Sequence, residues 1–445
     1  MIKKALYSLV LVIITILSCN SVLAEFGRIY TGDEYQKIIG RGFDVSWFTK
    51  DKPYNKQTLI DIKARGFHNV RIRINSKEYY TRAHFEVIAK IVDDCIEVGI
   101  VPIVSYVNKS DDNFNATAAA EEAYIAWWSL MAEVMQDKSS TLAFGTFNEL
   151  KRNNKIANPS TTYKRWTNRM KEAVRVFTPE RIIILGAPEK SPDSLEKIEP
   201  DCYQLNDGSP DPYIMAEWHV YAGGPTQFET GRSQNWYGDG SIEGKDNVDN
   251  WILQGYRWSK DTGVPTWFGA WFPWDNKQGE MEDEEAQAFA TYFLEALSLK
   301  GIPWSVNSLE NYYDATTNTW NETATFNADR EYNIPPIVDI YATIGDFGNG
   351  IATLSNIFYH NVDTETNVLN IYPNPTNGLL SLNLKNTGFN ATLLSVINTS
   401  GNTIETINID NVKTHIDFSN LNSGIYFLIL KNSMQTFNEK LIIQK

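Results

Sequence analysis

The chain contains few of the residues that form covalent or metal cross-links. Its 445 residues include only three cysteines and five histidines. The histidines show no zinc-type spacing and the cysteines form no disulfide framework, so we expect neither a metal ion nor another cofactor. Cys95 and Cys202 would remain after removal of an export signal. They lie far apart in the sequence, which leaves open whether they pair.

An excess of basic charge and a long apolar segment are also missing. The formal net charge of -14 argues against nucleic acid or an anionic membrane as the main partner, and weakly disfavours a polyanionic substrate. The apolar run at 5–17 is too short to favour a membrane span. It follows Lys3 and Lys4 and precedes Ala24, the pattern of a signal peptide over residues 1–24. A lipoprotein site at Cys19 is the alternative.

Tryptophan is absent from the C-terminal part of the chain. All 13 tryptophans lie between Trp47 and Trp320. Indole rings stack on sugar rings, so an aromatic cleft in the first part of the chain suits a glycan, although most of these side chains belong in a core. The asymmetry indicates two modules with different functions.

The first module alternates short apolar runs with longer helical stretches, such as residues 119–135 and 284–300. This pattern is typical of βα units around a parallel sheet. Eight candidate strands cover residues 42–47, 69–74, 101–106, 142–148, 181–185, 214–221, 266–271 and 303–307. We therefore predict an α/β fold, a (β/α)8 TIM barrel over residues 25–340. Its active site would lie at the C-terminal ends of the strands.

A stretch rich in glycine, asparagine and threonine at 341–367 indicates a linker. From 368 to 445 the sequence changes to short alternating strands, at 380–384, 393–397, 403–409 and 424–430, which predict a small all-β sandwich. The absence of tryptophan disfavours a carbohydrate-binding sandwich, the competing interpretation.

The sandwich carries several ordered motifs. These are Tyr372-Pro373-Asn374-Pro375-Thr376, Gly378, Leu421-Asn422-Ser423-Gly424-Ile425-Tyr426, and Lys440-Leu441-Ile442-Ile443-Gln444-Lys445. In these motifs the module resembles the C-terminal sorting domain of type IX secretion cargo. The resemblance implies the type IX secretion machinery as a partner and a secreted, extracellular or cell-surface location.

Strand alternation predicts which side chains point into the barrel. On the second strand Val70, Ile72 and Ile74 share the helix-facing side, so Arg71 and Arg73 point inward. A buried arginine needs an anionic partner. Glu217, His219 and Tyr221 share one face of the sixth strand, with Glu217 deepest. We therefore expect Glu217 to form an ion pair at the barrel floor.

Four motifs lie at the expected strands in the expected order. They are Gly66-Phe67-His68-Asn69-Val70-Arg71-Ile72, Phe147-Asn148-Glu149, Glu217-Trp218-His219-Val220-Tyr221, and Trp304. In these motifs the barrel resembles the retaining glycoside hydrolases of family 5 and related cellulase-like barrels. The resemblance implies that Arg71 supports a nucleophile, that Glu149 is the catalytic acid/base, that His219 and Tyr221 assist, and that Trp304 stacks on a sugar. Further candidates for substrate binding are Asn148, Lys151 and Trp271.

Two departures from the family pattern affect the expected chemistry. The third strand of the family usually ends in histidine, whereas here the region reads Val104-Ser105-Tyr106-Val107. Ala270 stands where the seventh-strand nucleophile belongs, and retaining hydrolysis needs two carboxyl groups about 5 Å apart. Desolvation of Glu149 in an aromatic cleft would raise its pKa, which suits a general acid, although a nearby arginine would oppose that shift.

Three functions are compatible with the missing nucleophile. The favoured one is a secreted glycoside hydrolase, endo-acting on a β-linked polysaccharide. In it, Glu149 is the acid/base and a relocated carboxylate serves as base in an inverting displacement. Candidates for this carboxylate are Asp275, Glu280 and Glu282 in the loop after strand seven, and Glu217.

The second function is a polysaccharide lyase that acts by β-elimination on a uronic acid, which needs no second carboxylate. His219 or Tyr221 would be the base, and the uronate carboxylate would be held by Asn148, Arg71 or the pair Lys151-Arg152. The third is a barrel that binds glycan without catalysis. It leaves the grouping of Glu149, His219 and Tyr221 unexplained.

Overall fold

A computed structural model describes residues 28–50, 52–107, 116–150, 154–205, 207–222, 236, 242–274, 281–325, 331–344, 370–372, 376–383, 392–398, 403–409, 413–431 and 436–445. The chain divides into two compact units, Met1–Ser355 and Asn356–Lys445. The predicted signal peptide and nearly all of the predicted linker lie outside the described residues, so those boundaries stay predictions.

Eight parallel strands close into a barrel in chain order, as the sequence predicted. They are β1 (Arg41–Phe48), β2 (Asn69–Asn75), β3 (Val101–Val107), β4 (Ala143–Gly145), β5 (Ile182–Gly186), β6 (Ile214–His219), β7 (Thr266–Ala270) and β8 (Trp304–Val306). β1 pairs with both β2 and β8, which closes the ring. The predicted TIM barrel is confirmed.

The helices of the first unit are α1 (Gly32–Ile39), α2 (Lys56–Ala64), α3 (Arg82–Val98), α4 (Ala118–Val134), α5 (Ser160–Arg175), α6 (Ile242–Thr262), α7 (Asp283–Leu299) and α8 (Pro335–Thr343). The predicted helices at 119–135 and 284–300 correspond to α4 and α7 within one residue at each end. Between β5 and β6 the described residues form two 3₁₀ helices, Pro192–Lys197 and Pro200–Cys202. Two short hairpins follow β8, formed by β9 (Tyr313–Asp314) with β10 (Thr319–Trp320) and β11 (Thr323–Thr325) with β12 (Glu331–Asn333).

Local sequence signals set the bounds of these helices. Thr31 begins α1 with a capping box, in which its side chain accepts from the Glu34 backbone while the Glu34 carboxylate accepts from the Thr31 backbone. Gly99 ends α3 at φ 80°, a left-handed conformation that glycine adopts without steric cost. Two residues therefore separate the end of helix α3 from the start of β3 at Val101.

Two apolar cores hold the barrel. The larger one lies between strands and outer helices and includes Val70, Ile72 and Ile74 of β2, as alternation predicted. The smaller one fills the lower interior, where Tyr35 and Ile39 of α1 pack with inward-facing strand residues. Helix α1 thus closes the N-terminal end of the barrel. The polar side chains of the interior lie towards the C-terminal end. Cys95 and Cys202 are both buried and free, so they do not pair.

The second unit is a small antiparallel β fold. Its strands are β13 (Asn370–Tyr372), β14 (Leu379–Asn383), β15 (Thr392–Asn398), β16 (Thr403–Ile409), β17 (Lys413–Asp417), β18 (Gly424–Lys431) and β19 (Thr436–Ile443). They form one sheet in the order β13-β14-β17 and another in the order β16-β15-β18-β19. Apolar side chains of both sheets share one core, as expected for the predicted small sandwich. Among the described helices of the chain, none has the length and apolar character needed to cross a bilayer.

Candidate active site

Glu149, His219 and Tyr221 meet at the C-terminal mouth of the barrel. Glu149 follows β4, His219 ends β6, and Tyr221 comes two residues later. His219 Nδ1 lies 2.9 Å from Glu149 Oε1, and the Tyr221 hydroxyl donates to the same oxygen over 2.9 Å. The side chain of Glu149 is 26% exposed, whereas that of His219 is 1% exposed. Glu149 is therefore the member of this group that faces solvent.

A buried ion network lies below this group. Arg71 Nε and Nη2 donate to the two carboxylate oxygens of Asp44 over 2.7 and 2.5 Å, and Nη1 donates to Glu217 Oε2 over 2.7 Å. All three side chains are essentially inaccessible to solvent. The pairing of Arg71 with Glu217 was predicted from strand alternation. Asp44 was not identified from the sequence, although it lies in a candidate strand and faces an inward arginine.

His219 connects the two groups. Its Nε2 lies 3.3 Å from Glu217 Oε2 and 3.3 Å from Arg71 Nη1. Burial lowers the pKa of His219, but the hydrogen bonds to Glu149 and Glu217 outweigh this and raise the pKa above its ordinary value. The two carboxylates therefore favour the imidazolium form more than water would for a free histidine, and each contacts one ring nitrogen.

The pKa of Glu149 shifts in the direction opposite to our expectation. Burial raises it, but the ammonium of Lys190 and the hydrogen bonds from His219 and Tyr221 lower it well below the ordinary range. Expecting desolvation to dominate was wrong because these partners come from β6 and from the turn after β5. Glu149 is thus ionised in this structure.

Lys190 was missed from the sequence. Its Nζ lies 3.6 Å from Glu149 Oε2, and its backbone has φ 62°, an uncommon conformation for a residue other than glycine. Its carbonyl accepts the backbone N–H of His219 over 2.7 Å. The available signal was its position just after a barrel strand, where mouth residues lie.

On strand β7, Gly269 faces the polar network. A Cβ built on Gly269 would overlap Glu217 Oε2 and lie 2.9 Å from His219 Nε2 and 3.1 Å from Arg71 Nη1. The register between β6 and β7 shifts between Trp218 and His219, so that Ala270 pairs with His219. Gly269 therefore faces the polar network, while Ala270 lies at the register shift beside His219. Neither residue carries a carboxylate.

The tryptophans proposed as sugar contacts lie in the core. Trp271 and Trp304 are fully buried and contact each other edge-to-face at 5.7 Å. Trp271 also packs on Phe293 of α7, and both indoles pack on Tyr341 of α8. A ring enclosed between strands and helices cannot stack on a sugar, so these two expectations are corrected. Arg71, fully buried and bonded to two carboxylates, is likewise out of reach of a glycan.

The remaining candidates are distributed as follows. Asn148 is half-buried, and its backbone N–H donates to the Tyr106 carbonyl over 3.0 Å. Glu282 is exposed and precedes α7 as its N-cap. Lys151, Arg152, Asp275 and Glu280 lie outside the described residues. In the part of the chain that is described, no group of three or more His, Cys, Asp or Glu side chains is arranged to hold a metal ion.

A carboxylate, a histidine and a tyrosine thus meet at the C-terminal mouth of a closed barrel, where enzymes of this fold carry their active sites. Residues 32–312 match the family model described as cellulase, glycosyl hydrolase family 5. The chain therefore belongs to glycosyl hydrolase family 5. Residues 370–444 match the secretion system C-terminal sorting domain, which indicates a secreted or cell-surface protein.

Solved structures with this fold include three bacterial proteins. An endoglucanase from Thermotoga maritima superimposes with a TM-score of 0.57 at 16% identity, covering 70% of this chain and 99% of its own. A broad-specificity endoglucanase from Clostridium longisporum gives 0.56 at 17%, covering 71% and 98%. The cellulose synthase subunit Z from Clostridioides difficile gives 0.54 at 18%, covering 68% and 99%. Among curated proteins, none matches this chain.

Proposed function

We propose that this protein is an extracellular, endo-acting hydrolase of a β-linked polysaccharide and that Glu149 transfers the proton to the leaving oxygen. One observation carries the proposal. The Glu149 carboxylate is fixed by His219 and Tyr221, yet it is the exposed member of the group. The endoglucanase names of two similar folds support the substrate class.

The proton comes from the pair that Glu149 forms with His219. A general acid must hold a proton when the glycosidic bond breaks, and Glu149 starts ionised. His219 holds a proton on Nδ1, 2.9 Å from Glu149 Oε1. A sugar bound over the mouth removes water from Glu149, which raises its affinity for that proton. The proton then passes through Glu149 to the leaving oxygen.

Water, rather than a protein carboxylate, attacks the sugar in this proposal. A retaining mechanism needs a nucleophile about 5 Å from the acid. Gly269 supplies none, and the side chain of Glu217 is 1% exposed. The base that activates the water is expected in the loop after β7, where Asp275 and Glu280 are the sequence candidates.

The test is to incubate the full chain with a panel of neutral and uronic-acid polysaccharides and to follow new reducing ends. Glu149→Gln should lower the rate about 10²–10⁴-fold, since it removes general acid catalysis. Glu133→Gln, which changes a partly exposed carboxylate on α4, should leave the rate unchanged. Full hydrolysis by Glu149→Gln would refute the assignment of the acid.

Elimination on a uronic acid is the second candidate function. It is favoured by Lys190, whose ammonium lies 3.6 Å from Glu149 and could hold a uronate carboxylate, and by the absence of a carboxylate at Gly269. Tyr221 or His219 would then act as base. The unsaturated product absorbs in the ultraviolet, so reducing ends accompanied by that absorbance would replace hydrolysis with elimination.

A further inference from the structure

We propose that strand β6 supplies a carboxylate, that of Glu217, to the space that a side chain at position 269 of β7 would fill. There Glu217 acts as a positioning residue that keeps His219 protonated and directed at Glu149. The role of Glu217 in proton delivery rests on the proposed function. The position of Glu217 and its effect on the protonation of His219 do not.

The space beside Gly269 is already occupied. A Cβ at this position would overlap Glu217 Oε2 and lie within 2.9 Å of His219 Nε2 and 3.1 Å of Arg71 Nη1. A side chain at position 269 and Glu217 in its present place therefore exclude each other. Glycine at 269 is what allows the carboxylate of β6 to reach Arg71 at 2.7 Å.

The charges around His219 determine its protonation. It faces the carboxylates of Glu149 after β4 and Glu217 on β6, and the guanidinium of Arg71 on β2. Arg71 opposes the imidazolium, but Asp44 on β1 offsets that charge through two hydrogen bonds. Two further groups face Glu149 rather than the ring, namely Lys190 after β5 and the hydroxyl of Tyr221.

Only the doubly protonated ring satisfies both carboxylates. Nδ1–H then donates to Glu149 Oε1 and Nε2–H to Glu217 Oε2. With no proton on Nε2, the ring could accept from the second N–H of Arg71 Nη1, but its lone pair would then also face Glu217 Oε2 at the same 3.3 Å. Among the described residues, Glu217 Oε1 has no hydrogen-bond partner, so the side chain acts through Oε2.

The position of His219 between Glu149 and Glu217 determines how protons move when the glycosidic bond is cleaved. The Nδ1 proton of His219 moves to Glu149 and then to the leaving oxygen, which also takes the electron pair of the broken bond. His219 becomes neutral and retains Nε2–H toward Glu217, until a proton from water restores the starting state. The two carboxylates contact opposite ring nitrogens of His219, so the imidazole lies between them.

Nitrogen-15 NMR titration of His219 in the full chain tests this inference without any substrate. The signal is assigned by its loss in His219→Asn. In the natural protein both ring nitrogens should carry protons, and the ring should titrate above the ordinary histidine value of about 6.5. Glu217→Gln, which keeps the shape and removes the charge, should lower the midpoint by about one pH unit, a tenfold change in proton affinity.

The double variant Glu217→Ala with Gly269→Glu returns a carboxylate to β7 and should restore the higher midpoint that Glu217→Ala alone loses. An unchanged titration in Glu217→Gln would overturn the inference, as would a folded double variant that restores nothing. If the double variant does not fold, Glu217→Gln alone decides. The expected titration in a protein that cleaves no glycan would refute the proposed function and leave this inference standing.

Discussion

At the scale of single residues, the protonation of Glu149 depends on side chains far away in the sequence. The carboxylate accepts from His219 and Tyr221 and lies near Lys190, and together these partners overcome the effect of burial. Its role as acid therefore depends on the proton that His219 holds. A strand-end glutamate can be located in the sequence, whereas its charge cannot, because the ring and the ammonium that decide it come from other strands and turns.

The pH dependence of stability follows from the two shifted groups. The pKa of folded His219 is raised, so its contribution is complete below the ordinary histidine pKa and is lost as pH rises through the folded value. The pKa of folded Glu149 is lowered, so its contribution is present above the ordinary glutamate pKa and is lost as pH falls through the folded value.

The melting temperature should therefore be highest between these two limits. Thermal unfolding of the natural chain and of His219→Gln, measured from about pH 6 to 9, checks the alkaline limit. In the natural chain the melting temperature should fall as pH rises through the folded pKa of His219. The variant should not show this fall. If the melting temperatures of both proteins changed in parallel over the alkaline range, His219 would not be the group responsible.

At the scale of secondary-structure elements, the site depends on how β6 and β7 pair. At the register shift between Trp218 and His219, Ala270 pairs with His219 and Gly269 faces the ion network. The sequence predicted all eight strands, because apolar runs and turn signals are local. It could not predict that Gly269 also faces the ion network, because this depends on the register in which the two strands pair.

The close approach of β6 and β7 predicts the effect of a methyl group at position 269. Gly269→Ala should destabilise the barrel by about 1–3 kcal/mol, because Glu217 must leave its contacts with Arg71 and His219. In a Glu217→Ala background the same change should cost less by about 1 kcal/mol or more. Chemical denaturation of the natural chain, the two single variants and the double variant measures the coupling energy between the two positions. Additive changes in the free energy of unfolding would show that the two positions do not share space.

At the scale of the whole molecule, the chain joins a family 5 barrel to a secretion module. The two units match separate family models, over residues 32–312 and 370–444. In the second unit Gly378 has φ 123°, and a Cβ there would lie 2.7 Å from the backbone of Ser419. The fold of the sorting module therefore depends on this glycine, for reasons of both conformation and space.

Export should depend on that module in a host with type IX secretion. A reporter protein fused to residues 368–445 should appear outside the cell, and the same fusion with Gly378→Val should not, since the side chain has no space beside Ser419. Immunoblotting of cells and medium measures both. Equal export of the two fusions would show that recognition does not require the folded sandwich.

The sequence by itself determined the order of the elements, the two modules, the inward direction of Arg71, and the strand ends that carry Glu149, His219 and Tyr221. These depend on local periodicity and on motifs a few residues long. The tertiary structure decided the ionisation of Glu149, the place of Gly269 beside the ion network, the enclosure of Trp271 and Trp304, and the contacts of Asp44 and Lys190. Each of these depends on strand register and on groups brought together from distant parts of the chain, and the electrostatic balance at the mouth exists only once the barrel has closed.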